Sequence, residues 1–156
     1  MINTLSELYP CLKQPDRPPR WLIVAALAAL TLIIGLITAR AENQTQVIAR
    51  VIAAEAAGEG MPGMQAVANT IANRARQRGL TAYQVVIQPN QYYGLTARNA
   101  QKLYAQVKSQ ADYLAANIMR LKDITGGALY YRRKQEKLFP WCKVFTIRIK
   151  NHLFYK

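Results

Sequence analysis

Apolar and polar residues follow three different rhythms along the chain. From Trp21 to Ala39, nineteen residues run without a charge, broken only by Thr31, Gly35 and Thr38. That length matches the roughly 20 residues a helix needs to cross a bilayer. From Val47 to Glu59 the pattern becomes helical: Val47, Val51 and Glu55 lie four apart, with Ile48 and Ile52 beside them. The stripe ends on a carboxylate set among Ala53, Ala54, Ala56 and Ala57. From Lys143 to Arg148 the pattern alternates as a strand does, with Val144, Phe145, Ile147 and Ile149 as its apolar members.

Breakers and caps divide the remainder. Ala41 to Thr45 reads as a short polar linker in which Asn43 or Thr45 caps the following helix. Gly58 and Gly60 end that helix, and Pro62 opens another that runs to about Arg78, where Gly79 stops it. Met64, Val67, Ala68 and Ile71 make its apolar side, while Gln65, Asn69 and Asn73 stack along another face. That amide stripe is either a solvated surface or the lining of a groove. Thr81 to Ile87 predicts a short helix capped by Thr81 and ended by Pro89; Gln88 to Leu95 is a loop carrying Tyr92 and Tyr93. Thr96 to Arg120 predicts a long helix wrapping the core. Beyond it, Thr125-Gly126-Gly127 signals a turn, Ala128 to Tyr131 is short and aromatic, and Arg132 to Lys137 is a basic loop. Asn151 to Tyr155 supplies a hairpin partner for the last strand through a tight turn at Lys150-Asn151. The predicted fold class is therefore α+β, a mainly helical domain with a small antiparallel sheet, preceded by one N-terminal transmembrane helix or signal anchor.

The expected organisation has three parts: a short cytoplasmic tail over 1–20, a transmembrane or signal-anchor segment over 21–39, and a domain over 42–156. Pro10, Pro15, Pro18 and Pro19 discourage a helix in the tail. Ala39 and Ala41 resemble a signal-peptide cleavage site before Glu42, and cleavage there would secrete the domain. The long leader and the long apolar run favour a retained anchor. Lys13, Arg17 and Arg20 on the near side, against Arg40 alone beyond, favour a cytoplasmic N-terminus and a domain outside the cytoplasm. Cys11 and Cys142 then occupy opposite compartments and cannot pair within one chain.

Residues 42–156 hold 17 Lys/Arg against 6 Asp/Glu, a formal +11. Such a surface attracts a polyanion: nucleic acid, anionic lipid or an anionic cell wall. Export makes nucleic acid the weakest of these, and no specific nucleic-acid partner is expected.

The chemistry is narrowed by what is missing. One histidine, His152, and two separated cysteines cannot build a zinc cluster, so neither a metal nor a cofactor is expected. The chain has no glycine-rich phosphate loop and no G-x-S-x-G elbow, and its only serine beyond residue 41 is Ser109, inside the long helix. His152, in an aromatic strand pattern, reads as structural. Carboxylate chemistry remains. A carboxyl group among alanines, as at Glu55, is in the desolvated setting in which a general acid holds its proton. Glu59, one turn later, either influences Glu55 or caps the glycine-rich loop.

At this point the motifs resemble a family. E-A-A-G-E over 55–59, followed by Gly63, Ala66-Val67-Ala68 and Asn73-Arg74, resembles the opening motifs of the spore-cortex-lytic and cell-wall hydrolase family. Asp123-Ile124-Thr125-Gly126-Gly127-Ala128 and Tyr130-Tyr131 are similar to its D-x-T-G-G-A turn and aromatic strand. Pro140-Trp141 and Asn151-His152-Leu153-Phe154-Tyr155 are similar to its closing pattern. The blocks occur in order from about Val47 onward. Lys150 departs from the glycine usual near that turn.

The resemblance implies a lysozyme-like fold and cleavage of the β-1,4 bond between N-acetylmuramic acid and N-acetylglucosamine in peptidoglycan. By that analogy Glu55 is the catalytic acid of a lytic transglycosylase. It protonates the leaving oxygen, then as a base takes a proton from the muramyl C6 hydroxyl, which closes a 1,6-anhydro ring. Ordinary glycosidases need a second carboxylate; Glu59 is either that group, in a lysozyme-type hydrolase, or a tuning residue. Gln65, Asn69, Asn73, Tyr92, Tyr93, Tyr130 and Tyr131 are the candidate substrate contacts, and Asp123, Thr125, Gly126, Gly127, Trp141 and His152 the structural residues near the site. The expected partners are peptidoglycan strands, the membrane through 21–39, and envelope or phage-virion proteins. The rivals are a non-catalytic wall-binding or structural protein and, least favoured, a membrane-tethered nucleic-acid binder.

Overall fold

The computed structural model describes residues 18–92, 99–137, 140 and 144–156. The expectations for the tail, Cys11, Tyr93, Trp141 and Cys142 lie outside those residues. The chain divides into two units at the Ala39–Arg40 junction.

In the first unit, residues 21–39 are all helical and all exposed. This is one helix long and apolar enough, by length and composition, to cross a membrane. Its two hydroxyls are satisfied inside the helix: Thr31 donates to the Ala28 carbonyl at 2.8 Å and Thr38 to the Gly35 carbonyl at 2.9 Å. Neither threonine hydroxyl is left for lipid to strand.

The polar stretch at Ala41 to Thr45 is not a linker. Helix α1 runs unbroken over Arg20–Ala56. Neither proline nor glycine occurs between Arg40 and Gly58, and Ala, Glu and Gln are good helix formers, so nothing there stops propagation. Asn43 and Thr45 accordingly lie inside a helix rather than at its cap. A 3-10 turn, Ala57–Glu59, then leads through Gly60 into α2, Gly60–Arg78. Gly79 closes α2 with its N–H on the Ala75 carbonyl, and Arg76 and Arg78 sit in the last turn, where cations suit the helix dipole. The short helix α3, Ala82–Val86, opens with the full reciprocal cap between Thr81 and Gln84. Helix α4, Ala100–Ala116, stops short of the expected end at Arg120 and is interrupted at Val107 (φ −123°, ψ 21°); the expected start at Thr96 lies outside the described residues. It ends at Asn117, after which the chain turns.

Ile48, Val51 and Ile52 of α1 pack with Met64, Val67 and Ile71 of α2, Val85 of α3 and Leu114 of α4 in one buried core. A smaller core, Ala66, Ala128 and Phe154, joins α2 to the sheet. Tyr131 packs against both.

The sheet has three antiparallel strands in the order β1-β3-β2: β1 Tyr130–Arg133, β2 Phe145–Ile149 and β3 His152–Tyr155. Arg132 and Arg133, expected in a loop, belong to β1 because β3 offers them partners, Leu153 and His152. The β2–β3 hairpin turns at Lys150-Asn151 as expected, and the register of β2 shifts between Phe145 and Ile147. The second unit is thus the expected mainly helical domain with a small antiparallel sheet.

Candidate active site

Glu55 sits in the last turn of α1 and is partly buried. Its Oε2 accepts a hydrogen bond from the Tyr131 hydroxyl at 3.1 Å, which links the helix to β1. The Tyr131 ring is held in place by an edge-on contact with His152 (5.3 Å between centroids) and a tilted one with Phe154 (5.8 Å). Burial first, then the charge of Glu55, holds the Tyr131 phenol well above its usual value of 10. The hydroxyl therefore remains a donor throughout the neutral range.

Glu59 faces a different neighbour. Its Oε2 accepts from the Asn151 backbone N–H at 3.1 Å and its Oε1 from the Asn151 side-chain amide at 3.2 Å. Desolvation opposes ionisation of Glu59. It is outweighed by the two Asn151 bonds and the charges of His152 and Lys150, which leave the group below its usual value of 4.5. Gly63 makes room for this arrangement: a Cβ there would lie 2.2 Å from the Glu59 Cβ.

The amide stripe of α2 holds the chain's own turn. Gln65 Nε2 donates to the Lys122 carbonyl at 3.1 Å, Asn69 Oδ1 accepts from the Ile124 N–H at 3.1 Å, and Asn73 Nδ2 donates to Asp123 at 3.1 Å and to the Ala128 carbonyl at 3.1 Å. Asp123 also accepts from the Thr125 N–H and hydroxyl at 2.7 and 2.6 Å and from the Gly127 N–H at 2.7 Å. Desolvation of Asp123 is overcome by these bonds, which depress it below 3.8. Gly126 and Gly127 adopt φ of 66° and 83°, the left-handed region where a side chain is strained. The residues expected to line a groove thus fasten the turn that feeds β1 and carries Tyr131 to Glu55.

Arg74 had no assigned role in the sequence, yet it organises the tyrosines. Buried at 7% exposure, it donates to the Leu129 carbonyl at 2.5 Å, to Gln91 at 3.1 Å and to the Tyr92 hydroxyl at 3.2 Å. Its guanidinium carbon lies 5.5 Å from the Tyr92 ring centroid and 5.3 Å from that of Tyr130. Tyr92 is itself buried, and burial above all, with Glu55 adding and Arg74 opposing, pushes its phenol up to about 12. Both rings lie against Arg74, and Tyr131 hydrogen-bonds the candidate acid. The available signal for Arg74 was its place three residues after Ile71 and seven after Val67, on the apolar side of α2. Asn151 carried no such signal, because its partner is 92 residues away.

His152 is buried at 2% exposure, and burial lowers it from 6.5 despite the opposing charges of Glu59 and Glu55. Among the described residues its Nδ1 has no hydrogen-bond partner, and its ring packs edge-on against Tyr131 and Phe154. Among the described residues no group of three His, Cys, Asp or Glu is placed to hold a metal.

A model of the Cell Wall Hydrolase family matches residues 58–155. The chain belongs to that family. The match takes in Glu59, the amide stripe and the whole sheet, and it begins three residues beyond Glu55. Two solved structures are similar to this cell wall hydrolase. One is the catalytic domain of the germination-specific lytic transglycosylase SleB from Bacillus anthracis, with 25% identity and a TM-score of 0.60, covering 73% of this chain and 94% of that one. The other is the catalytic domain of the Bacillus cereus SleB protein, with 25% identity and a TM-score of 0.61, covering 74% and 91%. No curated protein matches the chain at a significant level. At the level of the family, this is a lytic enzyme of the cell wall.

Proposed function

We propose that residues 42–156 form a catalytic domain that cleaves peptidoglycan strands at the β-1,4 bond between N-acetylmuramic acid and N-acetylglucosamine, with Glu55 as general acid and then base. The observation that carries this reading is the Tyr131–Glu55 hydrogen bond at 3.1 Å. One partly buried carboxyl group is held at a fixed angle at the end of a helix, as a proton-transfer group must be. Glu55 donates its proton to the glycosidic oxygen as that bond breaks. The carboxylate left behind accepts the proton of the muramyl C6 hydroxyl, whose oxygen bonds to C1. A 1,6-anhydro end results, and Glu55 regains its proton.

The rival course, hydrolysis with a second carboxylate, is less well supported. Glu59 is engaged by Asn151, Asp112 by Tyr104 and Lys108, and Asp123 by its own turn. A mechanism that needs one carboxylate suits a site whose other described acids are occupied. The similarity to SleB, described as a lytic transglycosylase, favours the same course. The apolar helix of the first unit supports a membrane-anchored enzyme with its domain facing the wall outside the cytoplasm. The proposal does not extend to virion or other protein partners.

The test is mass spectrometry of the products released from purified peptidoglycan by the full chain in neutral detergent. Anhydro-muropeptides are expected, and Glu55→Gln should abolish their release while the circular dichroism spectrum is retained. Reducing muramic acid ends would replace the transglycosylase course with hydrolysis. Undiminished release by the Glu55→Gln chain would remove Glu55 from the chemistry.

A further inference from the structure

The β2–β3 turn places a group of cations beside the loop that follows Glu55. Lys150 occupies the turn with φ +50°, a left-handed conformation that costs a non-glycine residue roughly 1 kcal/mol. Its ammonium hangs over the start of α2: a Cβ on Gly60 would lie 3.4 Å from Lys150 Nζ. The sheet brings more positive charge to the same corner. Lys134 donates its backbone N–H to the Asn151 carbonyl at 2.9 Å, and Arg133 pairs with His152 in the register of β1 and β3. Arg148 donates from Nε to the Lys150 carbonyl at 2.9 Å, which steadies the turn.

Lys150, Lys134 and Arg133 are all exposed, and none of the three forms an ion pair among the described residues, where the pair that does form is Lys108–Asp112. The Lys150 charge helps hold Glu59 ionised, but neither nearby acid forms a direct ion pair with the three. Glu59 spends both oxygens on Asn151, and Glu136 accepts from the Arg133 backbone N–H at 2.9 Å rather than from its guanidinium. A strained lysine, kept with two further exposed cations one helical turn beyond the candidate acid and outnumbering the Glu59 carboxylate beside it, makes a surface suited to receive an anion.

We propose that the Arg133–Lys134–Lys150 corner is a subsite for the free carboxylates of the peptide stems borne by peptidoglycan strands. This rests on the reading of the chain as a peptidoglycan-cleaving enzyme at Glu55. The glycan backbone is uncharged, so the stems carry the charge that a cationic corner can select. A strand lying along the Glu55–Glu59 segment presents a stem to this corner, and the enzyme distinguishes acidic stems from amidated ones.

The test separates binding from cleavage. The full chain carrying Glu55→Gln, in neutral detergent, is sedimented with intact sacculi and with sacculi whose free carboxyl groups have been converted to amides. Tighter binding to the unmodified sacculi is expected, with a preference that falls as salt rises. Lys150→Gly and Lys134→Gln should each weaken binding to unmodified sacculi by roughly two- to five-fold and leave binding to amidated sacculi where it was. Lys150→Arg should retain the preference. Lys150→Gly relieves the left-handed strain and so keeps the fold, which its melting temperature will show. Equal binding to both kinds of sacculi by the unaltered corner, or a preference that survives loss of both lysines, overturns the proposal. Product release by the chain with Glu55 intact is scored separately, so failure of the corner and failure of the catalytic reading give different results.

Discussion

Tyr131 and Glu55 lie 76 residues apart in sequence and meet through a hydrogen bond of 3.1 Å. The phenol arrives on β1, and the carboxyl group on the end of α1. Tyr131→Phe removes the donor and keeps the ring that packs on His152 and Phe154. Such a bond contributes roughly 1 kcal/mol while the carboxyl group holds its proton and roughly 1.5–3 kcal/mol once that proton has passed to the leaving oxygen. Turnover should therefore fall by that difference, roughly two- to thirty-fold, while the melting temperature shifts by only a few degrees. Steady-state release of soluble fragments from peptidoglycan, set against thermal unfolding, measures both. Unchanged turnover would mean that the bond has no part in the chemistry.

Gly63 and Glu59 share too little space for a methyl group, since a Cβ on Gly63 would stand 2.2 Å from that of Glu59. Gly63→Ala should push the 3-10 turn away and break the two bonds to Asn151. The expected cost is roughly 1–3 kcal/mol, despite the better helix propensity of alanine. Urea unfolding detects the loss, and amide exchange at Asn151 reports whether its N–H has lost its acceptor.

Acid should weaken the fold in two stages. His152 is depressed from 6.5 by burial, so between that value and its lower folded one the unfolded chain binds the extra proton. Stability therefore falls as pH drops below about 6.5. Asp123 is depressed below 3.8 by its hydrogen bonds, so its contribution is intact above that value and disappears as pH falls through the folded one. Asp123→Ala should cost roughly 3 kcal/mol at neutral pH and progressively less under acid conditions. Unfolding free energies measured from pH 7 to pH 3 should show the upper stage persisting in Asp123→Ala and the lower one reduced.

Arg74 is held by a flat guanidinium between two rings, with hydrogen bonds leaving its edges. Arg74→Lys keeps the charge but cannot stack or reach the Leu129 carbonyl and Tyr92 together. A loss of roughly 1–3 kcal/mol is expected, with a change in near-ultraviolet circular dichroism from the disturbed tyrosines. A lysine variant as stable as the parent would show that the stack contributes little.

Local signals were legible wherever one residue decides one backbone step. The Val47/Val51/Glu55 stripe, the Thr81 cap, Gly79, the paired glycines of the 125–127 turn and the Lys150-Asn151 hairpin are all of that kind. The helical continuity from residue 41 to 45 was not, because its polar residues suit a helix as well as a linker. Periodicity grouped Gln65, Asn69 and Asn73 on one face but could not name the neighbour, which lies 50 to 57 residues on. The same limit hid the pairing of Glu59 with Asn151 and the stacking of Arg74. Glu55 was proposed from its alanine surroundings together with the family resemblance, whereas its hydrogen bond with Tyr131 depends on the register of β1 on β3 and could not be read from the sequence.

That register has a consequence for biosynthesis. The central strand of the sheet, β3, is the last of the three in chain order. During synthesis β1 and β2 emerge with nothing to pair with, and the loop between Tyr131 and Phe154 closes only afterwards. The helices can assemble early, but the support for Tyr131 arrives with β3. The sheet that carries Tyr131 is thus completed only when His152–Tyr155 has joined it, later than the helix that carries Glu55.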